Sequence, residues 1–324
     1  MIARVWGVCL AGLLAAGALG CGGGQSPPAD DDGPVVVGFS QVGTESAWQV
    51  ANTESIREAA AAAGVRLEVR DGMQKQEQQI ADIRAFLGSG VDVIVLSPVV
   101  ESGWDAVLQD AKDAGTPVIL VDRTVDTTDT SLYVTALGSD FVAEGRTAGE
   151  WLVEQYREAD GPVRIVEIEG TTGAASTNGR LKGFAEAVAV DPDLQVIASR
   201  DGGFTREQGA RVMAGFLKKY DDIDVVFAHN DEEGLGAVDA IEAVRKRPGT
   251  DIKIITVDAT RAGLTALAQG KLNYVVECNP LLGPQLMELV EQVAAGQTPP
   301  RRVLTTETAF DQESARAALP GRKY

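Results

Sequence analysis

Cysteine and histidine are scarce in this chain. Its 324 residues hold three cysteines and a single histidine, His229. There is no Cys-x-x-Cys pair and no Cys/His cluster, so neither a structural zinc site nor a serine- or cysteine-histidine catalytic centre has the residues to build it. A lone histidine beside an apolar run reads as structural. Basic residues are also outnumbered, with 29 Lys and Arg against 47 Asp and Glu, a net charge of −18. Such a surface repels phosphate and argues against nucleic acid as a partner. Nucleotide and hydrolase motifs are absent too. "GLGAVDA" from Gly234 lacks the third glycine of a dinucleotide fingerprint and follows "NDEE", which would repel a pyrophosphate. No P-loop and no G-x-S-x-G elbow occurs. Nothing here implies a cofactor or a metal, and the chain does not read as an enzyme.

What the amino-terminal stretch does hold limits the compartment. Arg4 is the only charge before Asp30, and "VWGVCLAGLLAAGALG" follows it. A charged start and a short apolar stretch describe a secretory signal, and the stretch is too short and glycine-rich for a spanning helix. "ALGC" then looks like the lipobox of bacterial lipoproteins, with Ala18 where leucine is usual. Cys21 would become the lipidated first residue of the mature chain. "GGGQSPPADDDGP" after it has almost nothing to bury and reads as a flexible tether. The expectation is a signal peptide over 1–20, a lipid-anchored tether over 21–34, and an extracytoplasmic protein that meets the membrane through its lipid alone. Cys9 leaves with the signal, so only Cys278 remains and no internal disulfide is expected.

From Pro34 onward short apolar runs alternate with helical patterns. "VVVGFS", "VRLEVRD", "VDVIVLSP" and "PVILVD" read as strands between alanine-rich helices, and the beat resumes through "VRIVEIEG", "DVVFAHND", "IKIITVD" and "YVVECNP". Strands that are apolar throughout suit parallel sheets covered by helices on both faces. Ten or eleven of them exceed one small sheet and predict two doubly wound α/β lobes. In such sheets ligands bind outside the carboxyl ends of the strands. Those ends are polar here: "SQVGTESAWQ", "DRT", "TTGAASTNGR", "GFTREQ", "HNDEE", "DAT" and "ECNP". Carboxylates accept from hydroxyls, guanidinium forks donate to them, and aromatic faces pack on the apolar face of a sugar ring. The constellation suits a neutral polyol.

The stretches "VGFSQVGTESAW", "DGMQKQEQQI", "VILVDRTVD", "EGTTGAASTNGRLKGFAEA", "AHND" and "VECNP" occur in order along nearly the whole mature chain. Residues 35 to about 310 resemble the type I periplasmic sugar-binding proteins, the ribose-binding class of ABC transporters, and within it the galactofuranose binders. The resemblance implies two Rossmann-like lobes joined by a three-segment hinge, with 35–137 plus 279–300 forming the first lobe and 138–278 plus 301–324 the second. It implies ligand contacts from Glu45, Trp48, Gln49, Asp122 and Arg123 on one side and from Arg180, Phe204, Asn230 and Asp258 on the other, with Glu277 near the hinge. Other roles stay open for some of these. Trp48 would equally serve as core, Phe204 likewise, Glu45 as a helix-start carboxylate, and Asp122 and Arg123 as partners of each other. At Gln49 the galactofuranose binders carry arginine, which leaves a pentofuranose, a hexofuranose or another small polyol. The implied function is capture of a monosaccharide by a monomer that delivers it to an ABC permease. Alternatives on the same fold are an autoinducer or inositol binder, and a sensor that presents its closed form to a membrane receptor. A LacI-like repressor would need a basic amino-terminal DNA-binding segment, where this chain has an apolar signal and an acidic tether.

Overall fold

The computed structural model describes residues 33–324; the expected signal, lipobox and most of the tether lie outside the described residues. The first sheet contains β1 (Val36–Gln41), β2 (Arg66–Asp71), β3 (Val93–Leu96), β4 (Val118–Val121) and β5 (Thr135–Gly138). The second contains β6 (Val163–Glu169), β7 (Leu194–Asp201), β8 (Val225–Ala228), β9 (Lys253–Asp258) and β10 (Tyr274–Glu277). Two short strands follow, β11 (Arg302–Leu304) and β12 (Ala309–Phe310). The orders are β11-β5-β4-β3-β1-β2 and β12-β10-β9-β8-β6-β7. Every pairing is parallel except that of β12 with β10. Both sheets therefore reverse their winding beside the first strand of each lobe, where a crevice opens at the carboxyl ends.

The helices are α1 (Ala47–Ala63), α2 (Gln76–Ser89), α3 (Asp105–Asp113), α4 (Phe141–Tyr156), α5 (Ala175–Val188), α6 (Arg206–Lys219), α7 (Asp231–Ala243), α8 (Arg261–Ala268), α9 (Gly283–Ala294) and α10 (Gln312–Ala318). They cover both faces of each sheet, which is why β3, β4, β5 and β8 are buried at every position. One apolar cluster runs from β1, α1 and α9 of the first lobe to α4, α5 and β6 of the second. Separate clusters lie under α2 and α3, and under α6, α7, α8 and α10. Among the described residues no helix is long and apolar enough to cross a membrane.

The chain passes between the lobes three times, at 139–140, 278–282 and 305–308. The third passage falls later than the sequence suggests. Arg302–Leu304 pairs with Ala136–Gly138 and extends the first sheet, so β11 belongs to the first lobe and not to the second. Gly138 likewise ends a strand of the first sheet. The Arg301 carbonyl accepts from Ala136 N at 3.1 Å, which draws the next three residues along the edge of β5.

Candidate functional site

The carboxyl ends of the two sheets face each other across a polar pocket. The first lobe contributes Glu45, Ser46, Trp48, Gln49, Asp122 and Arg123; the second contributes Ser176, Arg180, Phe204, Asn230 and Asp258, with Cys278 from the second passage. Nine of the ten residues singled out from the sequence thus stand around one space.

Glu277 does not. Its carboxylate accepts from Arg322 Nη1 at 2.6 Å, from the Tyr324 hydroxyl at 3.0 Å and from Thr308 N at 3.2 Å. The carboxyl-terminal residues Arg322 and Tyr324 occupy its carboxylate, and it is not among the residues lining the pocket. Ser46, Ser176 and Cys278 line the pocket and were not anticipated. A serine at a helix start carries no signal separating a cap from a ligand contact.

Local folding sets each side chain. Ser46 caps α1 by accepting from Gln49 N at 3.2 Å, which fixes the first turn that carries Trp48 and Gln49. Trp48 Nε1 donates to the Cys278 carbonyl at 2.7 Å, tying that turn to the second passage. Asn230 caps α7 through Glu233 N at 2.9 Å and donates to the Phe204 carbonyl at 3.2 Å. Much of its hydrogen-bonding capacity is thereby structural. Phe204 sits over Gly170, where any β-carbon would overlap its ring. Asp122, Phe204 and Asp258 have φ of 64°, 61° and 116°, a left-handed region that non-glycine residues rarely occupy. Strain of this kind costs on the order of 1–3 kcal/mol per residue and persists where the surroundings over-determine it.

The charges are arranged without full pairing. Arg123 Nε lies 3.6 Å from Asp122 Oδ2, too far for a hydrogen bond, and has no other partner. Arg123 Nη1 donates to the Val99 carbonyl at 3.2 Å, and Ser97 Oγ approaches Asp122 Oδ2 at 3.4 Å. Across the pocket Arg180 Nε donates to Glu144 at 2.7 Å and Nη1 to the His229 carbonyl at 2.5 Å, while Nη2 stands 3.9 Å from Asp258. Both guanidinium groups approach the Phe204 ring, Arg123 at 5.1 Å and Arg180 at 6.0 Å from its centroid. Burial raises the carboxyls of Asp122, Glu45 and Asp258 above their ordinary range, against the pull of Arg123 on the first two and Arg180 on the third. Glu45 Oε2 and Ser176 Oγ are buried without a partner. A buried polar atom left unpaired costs about 1–3 kcal/mol. Together these groups are acceptors and donors positioned for something with hydroxyls. His229, directly behind, is fully buried, and burial with the nearby Arg180 charge holds its imidazole down at about 3. It is a neutral structural ring against Phe227.

Comparison with known proteins agrees with this geometry. A model of the periplasmic binding protein domain matches residues 37–298. The chain belongs to the periplasmic binding protein family. The galactofuranose-binding protein YtfQ of Escherichia coli K12 is 40% identical over 294 residues, 90% of this chain and 92% of that one. A Mycobacterium smegmatis protein solved in complex with β-D-fucofuranose is 58% identical, with a TM-score of 0.87 over 88% of this chain and 94% of that one. The periplasmic binding component of the arabinose ABC transporter of Shewanella sp. ANA-3, bound to α- and β-L-arabinofuranose, is 40% identical, with a TM-score of 0.86 over 89% and 96%. These relatives bind solutes and are not enzymes. The periplasmic binding protein fold thus rests on sequence and on structure alike.

Proposed function

We propose that this periplasmic binding protein captures a monosaccharide in its furanose form between the two lobes and delivers it to an ABC permease. The observation that carries the reading is the pocket itself: carboxyl and guanidinium groups from both lobes with unspent hydrogen-bonding capacity, around aromatic faces. The relatives named for galactofuranose, or solved with fucofuranose and arabinofuranose, support the ring form. Capture makes and breaks no bond. A ligand that touches both lobes at once stabilises the closed arrangement because only that arrangement completes its contacts. Glu45, Trp48, Gln49, Asp122 and Arg123 hold it from the first lobe, and Arg180, Phe204, Asn230 and Asp258 from the second. Gln49 supplies an uncharged amide where the galactofuranose binders carry a guanidinium. Fewer donors suit a furanose with one hydroxyl fewer, either a 6-deoxyhexose or a pentose. Cys21 carries the lipid that keeps the monomer at the membrane beside its permease.

The test is calorimetric titration with D-fucose, L-arabinose, D-galactose, D-ribose and myo-inositol, followed by carbon NMR of the bound sugar labelled at its anomeric carbon. The expected result is tightest binding by D-fucose or L-arabinose with a furanose resonance in the complex. A bound pyranose, or no binding by any of these, refutes the reading.

A further inference from the structure

Beside the pocket lies a buried cluster of Glu144, Cys278 and Glu307, of which only Cys278 lines the pocket. Glu144 on α4 carries an acidic side chain yet is only 3% exposed. It reaches Arg180 because α4 and α5 touch backbone to backbone. A β-carbon at Gly145 would lie 2.1 Å from the Arg180 carbonyl oxygen, and one at Gly183 would lie 2.0 Å from that of Val142. Glu144 Oε2 accepts from Arg180 Nε at 2.7 Å, while its Oε1 has no partner. The Cys278 thiol and the Glu307 carboxylate stand against it, with one polar atom of each within 4.8 Å of the others. Glu307 in turn gathers all three passages between the lobes. It accepts from the Ser139 hydroxyl of the first, from Asn279 N of the second at 3.1 Å, and from Thr305 Oγ1 of the third at 2.9 Å.

We propose that Glu144 is a positioning residue for ligand capture: it fixes the Arg180 guanidinium toward the pocket and, through its contact with Cys278 and Glu307, ties that orientation to the hinge. The role rests on the sugar-binding reading of the pocket. A guanidinium is a planar fork with five donors. With Nε held by Glu144 and Nη1 by the His229 carbonyl, its plane is set and Nη2 is left for Asp258 and the ligand. Without Glu144 the free edge swings toward Asp258, and two groups that should meet hydroxyls satisfy each other instead. Glu144 is the member of the cluster that bonds Arg180, and Glu307 is the member that bonds the hinge passages. Burial pushes the Glu144 carboxyl up to about 8 against the pull of Arg180, with Glu307 adding in the same direction.

The experiment measures D-fucose affinity by calorimetry in Glu144→Ala, Glu144→Asp and Glu144→Gln, each in the wild-type and the Arg180→Lys background, with thermal unfolding recorded alongside. Glu144→Gln keeps an acceptor for Nε and should lose less than about threefold. Glu144→Asp, a methylene too short, should lose about tenfold or more, and Glu144→Ala at least as much. In the Arg180→Lys background, which has no Nε to hold, the three substitutions should change affinity less than about twofold. Equal losses in both backgrounds, or a glutamine variant as weak as the aspartate one, overturn the proposal. Should Glu144→Ala not fold, the other two variants carry the comparison. A second readout needs no sugar. The Arg180 Nε–H resonance should be resolved and slow to exchange in the wild type and averaged in Glu144→Asp. An Nε–H that already exchanges fast in the wild type overturns the positioning role. A protein that shows the protected Nε–H yet binds no sugar instead refutes the sugar reading alone.

Discussion

Replacing Arg123 with alanine separates a ligand-binding pair from a fold-holding one. Arg123 and Asp122 are both buried, 3.6 Å apart, with no hydrogen bond between them. A charge-assisted hydrogen bond to a sugar hydroxyl contributes roughly 1.5–3 kcal/mol. Arg123 has its Nε unpaired and only Nη1 bound to the Val99 carbonyl, so it can supply at least one such bond. It also faces the Phe204 ring of the other lobe at 5.1 Å, a contact that bridges the two lobes. A cation–π contact contributes about 0.5–2 kcal/mol. Together these amount to about 2–5 kcal/mol, or a loss of roughly 30-fold to several thousandfold in affinity. Stability should change little. The ion pair is loose, and burial has already raised the Asp122 carboxyl, so it takes up a proton when its neighbour is lost. A buried pair that held the fold would instead cost about 3–5 kcal/mol when broken. That is a fall in melting temperature on the order of 10 °C at this size. Titration with D-fucose and unfolding without it read the two quantities separately. A melting temperature lower by about 10 °C, with affinity nearly intact, would refute the ligand role of Arg123.

The other predictions concern a buried acid and the anchor. Burial holds the Glu167 carboxyl at about 8 against its ordinary 4.5, so between those values the folded protein keeps a proton that the unfolded chain has lost, and stability falls as pH rises. Above pH 6.5 His229, held near 3 in the folded protein, no longer contributes its opposite slope, and the loss approaches about 1.4 kcal/mol per pH unit for each such acid. Melting temperatures should therefore fall from pH 6.5 to 8.5, and Glu167→Gln should flatten that fall; an unchanged slope would remove Glu167 as a cause. For the anchor, the wild-type protein should fractionate with membranes, and Cys21→Ser should release soluble protein or accumulate precursor. A wild-type chain found fully soluble after cleavage at another position would rule out lipidation.

Strands covered on both faces were the most legible part of the molecule. A run such as Val118–Val121 has no polar position, and only a strand between two helical layers accepts four consecutive buried apolar side chains. The position of Asp122 and Arg123 at its carboxyl end followed from that. Arg302–Leu304 was not legible, because it is three residues long, begins with a charge and is held by the register of a strand more than 160 residues earlier. Glu277 was named from the resemblance alone; Cys278, the next residue, does line the pocket, while the partners of Glu277, Arg322 and Tyr324, are 45 and 47 residues downstream. Glu144 and Glu307 were missed for the opposite reason. In "FVAEGRTAGEWL" a glutamate three residues into a helix looks like a solvated charge. Only the close approach of α4 to α5 shows that it is interior.

The division of the last residues between the lobes has a consequence for proteolysis and aggregation. β11 shields the outer edge of β5, and β12, five residues later, shields that of β10. A single cut near residue 300 would therefore bare an apolar edge on both sheets at once: Thr135–Gly138, buried along its whole length, and Tyr274–Glu277. Unpaired edges of this kind recruit other chains. Loss of a short carboxyl-terminal segment should thus produce a self-associating species with two sticky ends, one per lobe, before either lobe has lost its own core.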